Sequence, residues 1–213
     1  MARFDLKKGD RFSLTKESGL NNLRVELGWR VTQKPNMDPA DLDACAFLLG
    51  EDGVILEDAD FVYYKSDYRE EPFDRHKYGN KKNWRDSTRP MSADGSVLGS
   101  HDDLGDGGDD DSEEGNEEMT VDLSKVNPKI TEIVFCVTIY NEYTFGDVRD
   151  AYISVTDEDS GNELCRYALN EKFKSETAVI AGGLICDEEG EWAFEAQGKG
   201  YDGGMQTLID IYA

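Results

Sequence analysis

Histidine and cysteine are scarce in this chain, and their scarcity narrows the chemistry it can perform. The 213 residues hold two histidines, His76 and His101, and four cysteines, Cys45, Cys136, Cys165 and Cys186, with no CxxC pair. A zinc centre or imidazole-based catalysis therefore has few ligands to draw on. The cysteines are scattered through apolar, strand-like runs and read as reduced, buried small hydrophobes. No run approaches the ~18 apolar residues of a membrane span. The N-terminal MARFDLKKGD has no apolar stretch long enough for a signal peptide, so a cytoplasmic location is expected. Positive charge is also short: 23 Lys and Arg stand against 46 Asp and Glu, a net charge of −23. Such a surface repels phosphate backbones, which argues against nucleic-acid binding, and it favours cations and basic partner proteins.

What is present suffices to fold. Hydrophobic residues make up 38% and aromatics 10%, and a chain of this length fits a single all-β domain over residues 1–213. Leu23, Val25, Leu27 and Trp29 alternate with polar or small residues, the period of a half-buried strand. ACAFLL (44–49) and IVFCVTIY (133–140) are continuously apolar, as central strands covered on both faces are. Further strands are predicted at 11–15, 61–64, 119–123, 151–156, 164–169, 178–186 and 191–197, several bounded by turn signals such as Asp52-Gly53 and Glu189-Gly190. Met205, Leu208, Ile209 and Tyr212 fall at i, i+3, i+4 and i+7, predicting one short C-terminal helix. Many short strands with few helices predict a β-sandwich of two sheets.

Two charged segments interrupt the pattern. Residues 65–90 carry eight Lys and Arg against five acids, within an irregular basic excursion taken to span 65–100. An aperiodic gap of this length inside a domain is either functional or partly disordered. Next comes an acidic Gly/Asp-rich loop, 101–118, with ten carboxylates between 102 and 118 and no Lys or Arg. Like charges at this density repel steeply once water is excluded. Either the stretch stays solvated, as acidic runs usually do, or a hard cation draws it closed. Calcium takes about six to eight oxygen ligands in irregular geometry, whereas magnesium demands a strict octahedron with few protein ligands. Gly105, Gly107 and Gly108 permit tight wrapping, but the spacing is not that of an EF-hand. The pairs Asp41/Asp43 and Asp58/Asp60 each precede a predicted strand, where they either complete a site begun in the loop or simply end strands in turns.

Several stretches, in order, carry a resemblance: LRVELGW (23–29), DLDACAFLL (41–49), DADFVYY (58–64), VDLSKV (121–126), EIVFCVTIY (132–140), FGDVRDAYI (145–153), ETAVI (176–180) and GKGYDGG (198–204). Together they resemble the TerD-type tellurite-resistance and stress proteins over nearly the whole chain. The resemblance implies a β-sandwich that binds calcium through a segment reading roughly G-D-N-x-T-G-x-G-D-G-D-D-E. Here the matching stretch is SHDDLGDGGDDDSEE, which carries the ligand role onto Asp102, Asp103, Asp106, Asp109, Asp110 and Asp111, with Asp41, Asp43 and Asp60 as strand-end contributors. This chain departs from the pattern at His101, where Gly would stand, and at Lys65, in place of an Asn; the 65–90 excursion is an addition.

The resulting expectation is a non-enzymatic interaction module of stress response or tellurite resistance, holding about one or two Ca²⁺ ions and assembling with partner proteins. Two alternatives stand beside it. One is a metal-dependent hydrolase using a carboxylate-bound ion, although no nucleophile–base pair is discernible and both histidines lie in the irregular region. The other is a metal-free acidic scaffold for basic proteins. A further expectation is that the basic excursion rests against the acidic loop without metal and is displaced by calcium.

Overall fold

The computed structural model describes residues 3–14, 20–32, 34, 36–37, 40–100, 114–169 and 173–213. Among them twelve strands follow in chain order: β1 Phe4–Leu6, β2 Arg11–Ser13, β3 Asn22–Val31, β4 Leu42–Leu49, β5 Phe61–Val62, β6 Val97–Leu98, β7 Glu114–Asp122, β8 Glu132–Ile139, β9 Val148–Asp157, β10 Asn162–Ala168, β11 Ala178–Cys186 and β12 Trp192–Tyr201. They form two six-stranded sheets, ordered β1-β10-β9-β3-β7-β6 and β2-β12-β11-β8-β4-β5. Neighbours are antiparallel except β1 with β10. The β-sandwich expected from the sequence is the observed architecture.

Side-chain period decides which sheet face meets which core. In β3, Leu23, Val25 and Leu27 point between the sheets, while Arg24 and Glu26 point out. β4 and β8 are buried on both faces, which explains their unbroken apolar runs. Leu42, Ala44, Ala46 and Leu48 join the main core, whereas Cys45, Phe47 and Leu49 join a second cluster on the opposite face. That second cluster is covered by the C-terminal helix, α3 in chain order, Gly204–Tyr212, whose Leu208 is fully buried. The helix forms at the predicted i, i+3, i+4 positions and adds a third layer to the sandwich.

Two sequence expectations shift. β7 starts at Glu114, not at 119, so the last five residues of the acidic stretch, 114–118, pair with β3 through Arg30↔Glu114 to Glu26↔Glu118. The excursion is also ordered. It holds helix α1, Arg75–Tyr78, and helix α2, Lys81–Ser87, separated by Gly79 in a left-handed conformation (φ 77°). Asp74 caps α1 by accepting the His76 N–H (2.7 Å), and Asn80 caps α2 by accepting the Asn83 N–H (2.8 Å). Neither helix has a long apolar stripe; the caps define them.

Arg69 organises this segment. Its buried guanidinium donates to the carbonyls of Tyr64 (3.0 Å), Ser66 (3.2 Å), Arg85 (2.8 Å) and Thr88, and its Nε donates to the Thr88 hydroxyl at 2.8 Å. It also lies 5.9 Å from the Trp84 ring, and Trp84 Nε1 donates to the Glu71 carbonyl at 2.7 Å. Arg69→Ala strips these donors from buried carbonyls, a loss of about 3 kcal/mol confined to the excursion. Limited proteolysis is expected to cut within 65–90 in R69A while far-UV circular dichroism of the sandwich stays unchanged; equal protection in parent and variant overturns that role.

Candidate metal centre at the sandwich edge

β4 borders β5 only at Ala46↔Val62 and Phe47↔Phe61, so among the described residues no strand covers its first half. An open edge presents unpaired N–H groups that need a partner. Here Ala44 donates to the Glu117 carboxylate at 2.7 Å. Glu117 reaches this position because β7 carries Met119 and Val121, two and four residues on, in the main core, and the period of two turns Glu117 the same way. A gap of about 10 Å³ lies between Ala44, Tyr64, Ser100 and Glu117, about the size of one water. Ser100 is the last described residue before the acidic run, and Glu114 is the first after it. The residues that flank 101–113 are therefore Ser100, beside the Glu117 carboxylate, and Glu114, three residues before Glu117 on β7.

Asp43 sits next to Ala44, buried (7% exposed), on the β4 face that carries Cys45, and Asp41 is exposed two residues earlier. These acids share one end of the sandwich with the ends of the acidic run. Asp102, Asp103, Asp106, Asp109, Asp110 and Asp111 lie outside the described residues. Among the described residues no three His, Cys, Asp or Glu side chains gather closely enough to hold an ion. A complete oxygen shell at this end therefore needs donors from 101–113.

Asp60 is elsewhere. It ends a 3-10 turn, Asp58–Asp60, and the Phe47↔Phe61 pairing puts it beside Leu48. That is five strand positions from Asp43, roughly 17 Å. Its neighbour is Asp94, which the sequence did not single out. Asp94 accepts from the Ser92 hydroxyl (2.7 Å), Ser96 N–H (2.9 Å) and Asn127 N–H (2.8 Å). Burial pushes the Asp94 carboxyl up, yet these donors outweigh it and hold the pKa below the usual carboxylate value. Asp60 behaves oppositely: burial, then the charges of Asp94 and Glu57, raise it from 3.8 to about 6. Of the two, Asp94 keeps its charge and Asp60 takes the proton.

A cavity of about 590 Å³ opens on the outer face of the first sheet around Trp29, Tyr152 and Arg166, across β7 from Glu117. Its polar groups bond one another: Tyr152 donates to Glu26, and Arg166 pairs with Glu163 at 2.6 and 2.9 Å. It holds none of the candidate metal ligands. His76 is exposed at the start of α1, and its backbone N–H serves the Asp74 cap; His101 lies outside the described residues. In the excursion, Lys77 pairs with Glu71, Lys81 (3.0 Å) and Arg85 (2.5 Å) with Asp67, and Lys82 with Asp86 (2.7 Å). These bases thus engage the excursion's own acids.

Because Asp60 has a folded pKa above its unfolded value, the stability it contributes is full below about pH 3.8 and is lost as pH rises through about 6. In chelator at pH 7, Asp60→Asn is expected to raise Tm by about 2–4 °C. Thermal melts from pH 4 to 7 should show the gain shrinking to nothing at the acid end; a pH-independent difference overturns the assignment.

The comparisons agree with this fold. Residues 1–212 match the TerD domain. The chain is 32% identical to a Tellurium resistance protein TerD of Serratia marcescens over 97% of this chain and 95% of that protein. It is 34% identical to General stress protein 16U of Bacillus subtilis, again over 97% and 95%. A crystal structure of a homologue of telluride resistance protein (TerD) from Streptomyces coelicolor superposes with a TM-score of 0.61 at 22% identity, covering 89% of this chain and 95% of that one. The chain belongs to the TerD family.

Proposed function

We propose that this protein is a calcium-binding, non-enzymatic interaction module of stress response or tellurite resistance. The observation that carries the proposal is the Ala44–Glu117 contact beside Ser100, with Asp43 one residue away on β4, next to a stretch dense in carboxylates. Carboxylate oxygens alone, with glycine between them, are a hard-cation donor set that suits calcium better than zinc or magnesium. Asp43 and Glu117 supply oxygens from strands and Asp41 from just ahead of β4, and Asp102, Asp103, Asp106, Asp109, Asp110 and Asp111 close the shell around about one or two ions. Asp60 and Asp94, at the far end of β4, form a separate pair whose raised Asp60 pKa is relieved either by a proton or by a cation.

The names of the relatives support the biological setting, since one is a tellurium resistance protein and another a general stress protein. The bound ion fixes an acidic surface that partner proteins of a cytoplasmic stress-response assembly recognise. No helix among the described residues is long and apolar enough to cross a membrane. A metal-dependent hydrolase requires a base held near a carboxylate-bound ion, and no described geometry favours it. A metal-free acidic scaffold predicts partner binding that weakens with salt and ignores chelators.

A ligand that binds only the folded state at 100 times its Kd stabilises by about 2.7 kcal/mol, so Tm should rise by several degrees in calcium over chelator. Calorimetric titration is expected to show saturable calcium binding that Asp109→Asn, Asp110→Asn and Asp111→Asn together abolish. An unchanged Tm with no calorimetric heat sinks the proposal.

A further inference from the structure

Cys45 and Cys136 are distant in sequence and directly opposite in space, paired across β4 and β8. The Tyr140 N–H donates to the Asp41 carbonyl at 3.1 Å, and the ladder alternates from there, so Cys45 and Cys136 form a hydrogen-bonded pair. The Ala44 N–H, turned away from β8 to Glu117, fixes the same parity. Pairs of this kind hold their Cα atoms about 5.5 Å apart, inside the ~4.4–6.8 Å that disulfides span. Their Cβ atoms stand up to about 5.5 Å apart, so closing the bond draws the two strands together by about 1 Å at this point. Both side chains are fully buried in the second apolar cluster, on the same face of the β4–β8 ladder. The other cysteines differ: Cys165 faces Phe4 and Val155 across its two ladders, and Cys186 faces Trp192.

The pair is covered by α3. Leu208 belongs to the same cluster, the Tyr212 ring lies 5.1 Å from Phe47, and the Ile55 N–H donates to the Tyr212 carbonyl at 2.8 Å. The helix enters through Gly203 (φ 92°) and Gly204 (φ 62°), two consecutive left-handed residues that only glycine adopts freely. Burial, and then the adjacent thiol, raise Cys136 well above the ordinary thiol range, so the covered pair is unreactive while α3 is docked.

We propose that Cys45 and Cys136 are a dithiol pair, sealed by α3, that a hydroperoxide closes to a disulfide when α3 lifts. One thiolate attacks the peroxide, the O–O bond breaks, and the departing oxygen takes a proton as water or alcohol, leaving a sulfenic acid. The second thiol then attacks that sulfur, the S–S bond forms, and the hydroxyl leaves as water. Two thiols are oxidised and one peroxide is reduced. The crosslink ties β4 to β8 beneath the helix, one residue from the Ala44–Glu117 contact.

The test treats the native, reduced protein with hydrogen peroxide, alkylates free thiols and maps the peptides without reduction. The expected product is a linked pair of peptides containing Cys45 and Cys136, with an intact mass about 2 Da lower. Leu208→Ala, or Tyr212→Ala where L208A fails to fold, loosens α3 and should speed this linkage roughly tenfold, since each ~1.4 kcal/mol taken from the opening free energy multiplies the open population by ten. If Cys45 and Cys136 remain alkylatable after peroxide in both parent and loosened variant, the dithiol assignment is overturned. If the linkage forms at the same rate in both, α3 is not the seal. Neither result depends on calcium, so failure here is separable from failure of the calcium proposal.

Discussion

The β4–β8 ladder, buried on both faces, is the constraint on which the remaining arrangement depends. Eight residue pairs, from Leu42↔Ile139 to Leu49↔Glu132, set a register with no freedom to slip. A one-residue shift would exchange the two cores and drive Asp43 between the sheets. That same register puts the Ala44 N–H on the open edge, Asp43 on the face toward α3, and Cys45 opposite Cys136. The acidic edge and the covered thiols are two consequences of one pairing.

The open half of β4 explains why a carboxylate stands there. A strand edge left bare invites pairing with another chain, and β5 covers only two positions. Glu117 closes the next N–H from the neighbouring sheet instead of from a strand. The solution costs a half-buried negative charge in a protein already at −23. It also leaves that charge beside Ser100, so on the calcium reading the side chain that protects the edge is also a candidate ligand.

The fold was largely legible in the sequence because apolar periodicity reports burial directly. The continuous runs 44–49 and 133–140 are the doubly covered strands, and Met205, Leu208, Ile209 and Tyr212 mark the helix that covers one of their faces. The excursion was not legible by that signal: α1 and α2 are held by Asp74 and Asn80 caps and by Arg69 bonds to backbone carbonyls. The Tyr78-Gly79-Asn80 sequence, a helix stop followed by a cap, was the available clue. The start of β7 was hidden because Glu114, Glu117 and Glu118 have the composition of the acidic run while the backbone is a strand. At the candidate site, Asp41 and Asp43 are found where strand-end acids should be, but Glu117 looked like part of the run, and Asp94 carried no pattern at all.

How this protein disposes of excess negative charge can be read from the acids that are described. Glu71, Asp67 and Asp86 are neutralised by lysines and an arginine of their own segment. Asp94 is held by two N–H groups and a hydroxyl, and Asp60, left facing it, has its pKa lifted toward neutrality. Each of these five acids thus has a counter-charge, a set of donors or a pKa raised by its surroundings. The stretch from 102 to 118 has no Lys or Arg of its own. Closing without a cation would bring the charges together at the very moment water leaves, the condition in which repulsion is greatest. On the calcium reading proposed above, a divalent ion makes closure and neutralisation the same event.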